Sequence, residues 1–94
     1  MEQRDYIEMG LNGEAPLKAI MRGSVETTSN DNIGVVSLVY ATTDRKMAKE
    51  KIYDLLKKDT DSYYMVYSVP LDMDLTHLDH YPSVAITKED LSML

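Results

Sequence analysis

A strand–helix–strand unit between residues 33 and 71 constrains the fold more than any other feature of this 94-residue chain. Residues 33–41 and residues 62–71 are apolar on both of their alternating faces, which for residues 33–41 predicts a central strand of the sheet, covered on both sides. The connection between them is roughly twenty residues long, enough for a right-handed crossover. We therefore expect the two strands to lie parallel in one sheet.

The connection has the pattern of a single helix. Thr43 or Asp44 can cap its start, and the polar run from Asp59 to Asp61 ends it. Its apolar side chains recur at helical spacing, which predicts one face packed on the sheet. They are Ala48, Ile52, Leu55 and Leu56.

Two further strands are predicted before this unit. Residues 5–11 alternate apolar and polar side chains, and residues 17–26 show the cleanest period of two in the chain. With residues 33–41 they predict an antiparallel meander. In residues 17–26 we expect the mostly polar side to face water and the other side to face the core. The side predicted to face the core carries Leu17, Ala19, Met21, Gly23 and Val25.

The end of the chain completes the predicted fold. We expect a helical turn over residues 75–80, a strand over residues 83–87 and a C-terminal helix that starts at a capping box in residues 87–90. The whole is an α+β fold: a mixed, mostly antiparallel sheet of about five strands, one main helix on one face and a short C-terminal helix. A ferredoxin-like topology is one possibility. We find no linker, so residues 1–94 form a single domain.

Composition excludes several classes of protein. The formal charge of −6 disfavours nucleic acid, because such binding rests on neutralising phosphates. No apolar run approaches the ~20 residues of a membrane span, and the N-terminus does not have the pattern of a secretory signal. Because cysteine is absent, disulfides, thiolate metal sites and cysteine nucleophiles are excluded, and a reducing compartment is favoured. We expect a cytoplasmic protein without cofactor, nucleic-acid partner or membrane partner.

Charge is divided unevenly along the chain. Residues 44–58 carry six bases against three acids, whereas residues 59–94 carry seven acids against one base. We predict that Lys46 and Lys49 on the helix contact an acidic partner, and the most economical one is residues 72–79 of a second copy. A solvated helix face would have the same composition.

Tyrosines supply a second set of candidate interface residues. Tyrosine is enriched at protein interfaces, and Tyr63 and Tyr67 lie on a predicted strand, where tyrosine is also an ordinary packing residue. A sheet with one main helix leaves a face that something must cover. The sequence therefore predicts self-association, most simply as a homodimer, or binding to another protein.

Metal-ligand residue types crowd together in one segment, which contains both histidines. Asp74, His77 and His80 would share a helix face, and with Asp72 they could hold a divalent transition metal. Such a site could activate water for hydrolysis. A short surface helix with capping aspartates explains the same pattern.

The other classes of function have less support in the sequence. No nucleophile elbow, phosphate loop or dinucleotide fingerprint is present in the sequence, so no catalytic residue is predicted. The sequence favours a small acidic cytoplasmic interaction or regulatory domain that self-associates. One alternative is a metal-assisted hydrolase that uses residues 72–80. Another is a small-ligand sensor with a pocket lined by Tyr40, Tyr64 and Tyr67.

Overall fold

The structure, a computed structural model, describes residues 3–78. Its elements are helix α1 (Gln3–Asn12), strand β1 (Leu17–Thr27), strand β2 (Asn32–Thr42), helix α2 (Arg45–Lys58), strand β3 (Tyr63–Val69) and a 3₁₀ turn (Leu75–His77). The predicted strand over residues 83–87 and the predicted C-terminal helix lie outside the described residues. No helix within residues 3–78 is both long and apolar enough to cross a bilayer.

Within residues 3–78 the sheet has three strands in the order β2-β1-β3, and both pairings are antiparallel. The α+β class is confirmed, whereas the mixed sheet of about five strands is wrong. Strands β2 and β3 run in the same direction, as the crossover predicted, but β1 lies between them. Among the described residues, strand β2 is therefore at an edge of the sheet rather than central. The ferredoxin-like order, β-α-β-β-α-β, is not found in the described residues, which run α-β-β-α-β.

The predicted first strand, residues 5–11, is instead helix α1. Ile7 and Leu11 are four residues apart and both buried, while Met9 is exposed, so the helical period of 3.6 describes this segment and the period of two does not. Ile7 and Leu11 fit either period, and only Met9 favours the period of two, so the pattern of this short run is ambiguous. Only one β-branched residue occurs in the segment, and this composition suits a helix.

Helix α1 lies along the outer edge of β3. The backbone N–H of Tyr64 donates to Oε1 of Gln3 at 2.6 Å, so Gln3 satisfies a strand donor that would otherwise face outward. Further along, Gly10 lies so close to Val66 that a Cβ on the glycine would be 1.8 Å from the Val66 carbonyl oxygen. The helix backbone therefore packs directly on the strand backbone, and the edge of β3 is covered.

The core lies between the helices and one face of the sheet. On that face Ile20 and Lys18 of β1 are buried, although the sequence predicted this side of the strand to face water. That prediction is wrong, because both helices pack on the side that carries Ile20. The buried cluster consists of Ile7, Leu11, Ile20, Ala48, Ile52, Tyr64 and Val66.

Helix α2 begins and ends as predicted. Oδ1 of Asp44 accepts hydrogen bonds from the backbone N–H groups of Lys46 (2.9 Å) and Met47 (3.2 Å), which satisfies two donors of the first turn. Asp59 is the C-cap, and its N–H donates to the Leu55 carbonyl. These caps fix the direction in which the chain enters β3.

Candidate interaction surface

The strand register gathers apolar side chains on the sheet face opposite the helices. Met21 of β1 is paired with Leu38 on one side and Met65 on the other, and Gly23 is paired with Val36 and Tyr63. Directly paired residues share a face, and residues two apart along a strand do so as well. These pairs form two adjacent rows across all three strands. We call this surface the apolar patch: Met21, Gly23, Val36, Leu38, Tyr63 and Met65.

The apolar patch is exposed at its two sides. Leu38 is 60% exposed, Val36 37% and Tyr63 43%, while Met21 and Met65 between them are half-buried. At the other end of the same face, Ala19 and Val69 are buried. The exposed part therefore lies at the end of the sheet where Val36 and Tyr63 stand. Scattered exposed apolar residues are ordinary, whereas a contiguous group marks an interaction site.

The outer edge of β2 is the second part of this surface. Because the Tyr64 N–H bonds to Gln3, Tyr64 directs its backbone groups away from β1. In an antiparallel ladder, a residue that directs its N–H and C=O groups away from the neighbouring strand stands opposite a residue that does the same. Arg22, which is opposite Tyr64, therefore directs its backbone groups toward β2, where it is paired with Ser37. It follows that Val36 and Leu38, on either side of Ser37, direct their N–H and C=O groups to the outer edge. Within residues 3–78, β2 pairs with no strand other than β1.

From Asn32 to Leu38, strand β2 lacks the features that normally protect a sheet edge. It contains neither a charged residue nor a proline over its 11 residues, and charges or prolines are the usual means of preventing edge-to-edge association. The register shift opposite Ile20 and Met21 is the one irregularity, and it leaves the segment from Asn32 to Leu38 regular. This edge can therefore accept another strand.

The four predicted interface residues fall on opposite sides of the molecule. Lys46 and Lys49 are exposed on α2, which packs on the helix side of the sheet. Tyr63 belongs to the apolar patch, and Tyr67, paired with Ala19, lies on the same sheet face. The Tyr67 hydroxyl donates to Sδ of Met65 at 3.5 Å. Tyr63 and Tyr67 thus share one face of the sheet, and Lys46 and Lys49 lie on the opposite side of the molecule.

The predicted metal ligands lie around the 3₁₀ turn. Asp74 caps this turn, since its Oδ1 accepts from the Thr76 N–H at 3.0 Å and from the Thr76 hydroxyl at 2.6 Å. Its Oδ2 is 3.5 Å from Nε2 of His77, and both side chains are exposed. Residues 3–78 contain no group of three histidine or carboxylate side chains placed to hold a metal. His80 lies outside the described residues, so the site with Asp72, Asp74, His77 and His80 stays a prediction.

The three tyrosines of the predicted ligand pocket do not face one another. Tyr40 and Tyr64 lie on the helix side, paired with Ile20 and Arg22, whereas Tyr67 lies on the opposite face. The described residues do form a cleft of about 270 Å³ between α1 and α2. That cleft is lined by Gln3, Arg4, Ile7, Glu8, Tyr53 and Leu56, and it includes none of the three.

Lys18 is a buried cation that the sequence did not single out. Only 3% of the residue is exposed, and burial lowers the pKa of its ammonium, with a smaller contribution from Arg45. Its Nζ donates to the carbonyls of Gly13 (2.6 Å) and Ala15 (3.1 Å) and to Oγ of Ser68 (2.9 Å). All three ammonium donors are used, so Lys18 fastens the α1–β1 loop to β3.

A second polar cluster joins the end of α2 to the sheet. The Tyr64 hydroxyl donates to Oδ2 of Asp59 at 2.8 Å. Burial raises the pKa of Tyr64, the hydrogen bond to Asp59 raises it further, and Arg22 acts in the opposite direction. Hydrogen bonds from Ser62 and Tyr64 lower the pKa of the Asp59 carboxyl.

The raised pKa of Tyr64 makes the fold sensitive to alkali. A group with a raised pKa in the folded state contributes stability below its unfolded pKa, and this is lost as the pH rises through the folded value. We expect Tyr64→Phe to lower the free energy of unfolding by about 1 kcal/mol at pH 8, through loss of the hydrogen bond. The gap between variant and wild type should shrink as the pH rises above about 10. Urea unfolding at several pH values measures this, and a constant gap would contradict it.

Comparison with known proteins does not assign the chain to a family. The chain matches no protein-family model, no curated protein and no solved structure.

Proposed function

We propose that this chain is a cytoplasmic, self-associating interaction domain, and that a second copy binds at the apolar patch and the adjoining edge of β2. One observation carries the proposal. The fold covers the edge of β3 with α1, whereas the edge of β2 and the exposed side chains beside it are without cover among residues 3–78. The cysteine-free composition supports the compartment.

Charge restricts where on the surface a second copy can bind. Each chain carries −6, so two copies repel each other over most of their surface. Strands β2 and β3 contain no charged residue, and the only patch residues outside them are Met21 and Gly23. A contact on this surface therefore juxtaposes no like charges. It removes exposed apolar area from water, which stabilises association by about 25 cal/mol per Å² before the costs of binding.

The proposal predicts a dimer that a single charge disrupts. We expect sedimentation equilibrium of the full chain to give twice the chain mass, and Leu38→Lys to weaken the association at least about tenfold, because it places an ammonium in a desolvated contact. Met9→Lys is the matched control, since Met9 is 61% exposed on α1, outside the patch. Circular dichroism checks that both variants fold.

Two results would overturn the self-association. The wild type could sediment as a monomer at every concentration, which would leave the patch to residues 79–94 or to a different protein. Alternatively, Leu38→Lys and Met9→Lys could have equal effects, which would move the contact elsewhere on the surface.

A further inference from the structure

We propose that two copies join by antiparallel pairing of their β2 strands about a two-fold axis at Val36, so that the two sheets become one continuous sheet. This inference rests on the proposed self-association and states its geometry. Antiparallel pairing of a strand with its own copy is self-complementary under a two-fold axis, the commonest symmetry of homodimers.

The choice of β2 over β3 follows from how the two edges are occupied. On β3, the outward N–H of Tyr64 is bonded to Gln3, and the backbone beside Val66 is in contact with Gly10. A second strand could pair with β3 only if α1 moved away. On β2 the equivalent outward groups belong to Gly34, Val36 and Leu38, and no described element lies against them.

The same three residues determine the register. Asn32 also directs its backbone outward, but its N–H already donates to Oδ1 of Asp31 at 2.8 Å. Residues that exchange hydrogen bonds lie directly opposite each other. An axis at Val36 pairs Val36 with its own copy and Gly34 with Leu38 of the other chain. All three residues then exchange backbone hydrogen bonds across the new strand pair. An axis at Gly34 or at Leu38 would instead place at least one of them opposite a residue outside this set.

Side-chain shape agrees with this register. On the patch face, Leu38 would stand opposite a glycine of the second copy, so the most exposed large side chain of β2 meets a position without a side chain. Two copies of Val36 would meet at the axis, and β-branched cross-strand pairs stabilise sheets. Contacts across the new strand pair would remove the β2 side of each apolar patch from water, and the two patches would become neighbours on one face of the joined sheet.

The absence of cysteine allows a direct test, because an introduced thiol is the only one in the chain. In this register the two copies of residue 36 are about 5.5 Å apart at Cα, within the range that a disulfide bridges. The two copies of residue 38 are displaced by four residues, or about 14 Å, which is too far. We expect oxidised Val36→Cys to form covalent dimer at least roughly tenfold faster than Leu38→Cys.

Leu38→Cys is a stringent control, because Leu38 is the more exposed residue and lies on the same strand and face. Random collision would therefore cross-link Leu38→Cys at least as fast. The experiment uses the full chain, with non-reducing gels for the covalent dimer and sedimentation of the wild type in parallel. Circular dichroism confirms that both cysteine variants retain the wild-type fold.

The outcomes separate the two proposals. A dimer in sedimentation with preferential cross-linking at residue 36 supports the strand pairing. A dimer with equal cross-linking, or with preference for residue 38, overturns the strand pairing and leaves the self-association standing. A wild type that is monomeric at all concentrations overturns both.

Discussion

Gly10→Ala is expected to lower the free energy of unfolding by about 3 kcal/mol, at the upper end of overpacking effects. The substitution normally stabilises a helix by about 1 kcal/mol, so the expected sign is reversed. The reason is steric: the new Cβ would be 1.8 Å from the Val66 carbonyl oxygen and 2.4 Å from its carbon. Neither atom belongs to a flexible side chain, so α1 must move away from β3. Urea-induced unfolding measured by circular dichroism gives the change.

Gly23→Ala is the matched control for this prediction. A Cβ at Gly23 would meet only Tyr63, at 3.8 to 4.0 Å, and no glycine in the described residues has a positive φ. We expect this variant to gain about 0.5 kcal/mol, because alanine restricts the unfolded chain more than glycine does. If the two variants had similar stabilities, the direct packing of α1 on β3 would be wrong.

Local pattern predicted most of the elements but not their partners. The helix over residues 45–58, its Asp44 cap and the strands around residues 17–27, 32–42 and 63–69 all follow from periodicity and capping chemistry. The strand predicted for residues 5–11 is wrong, because Ile7 and Leu11 fit either period in so short a run and only Met9 favours a strand. Contact with β3 decides in favour of the helix, and that contact is between residues far apart in sequence.

The faces of β1 show a second limit of sequence patterns. The period of two is correct, yet the side with Leu17, Met21 and Val25 was predicted to face the core because it is the more apolar. The helices pack on the other side, where Ile20 is fully buried and the Lys18 ammonium is satisfied by two carbonyls and a hydroxyl. A buried polar group is tolerated when its hydrogen bonds are made, so composition alone does not identify the covered face.

The candidate surface was predictable only in part. Tyr63 was singled out for its residue type, and it does belong to the apolar patch. Val36 and Leu38 were assigned to a central strand, because their segment is apolar on both faces. An edge strand that pairs with a strand of a second copy is flanked on both edges in the assembled state, as a central strand is, so it too can lack charges and prolines. The sequence can therefore show that β2 needs cover, but not whether the cover comes from the same chain.

Ile20→Ala and Leu38→Ala together test which face of the sheet forms the core. We expect Ile20→Ala to lower the free energy of unfolding by about 3 kcal/mol, because it removes a fully buried side chain and leaves a cavity. Leu38→Ala should change the free energy of unfolding by no more than about 0.5 kcal/mol at protein concentrations below the dimer dissociation constant, since Leu38 is 60% exposed. Urea unfolding at several dilutions separates the intrinsic effect from lost association, because only the latter depends on protein concentration. The reverse order, with Leu38→Ala the more damaging at every dilution, would mean that the helices cover the patch side and that no apolar face is left for a second copy.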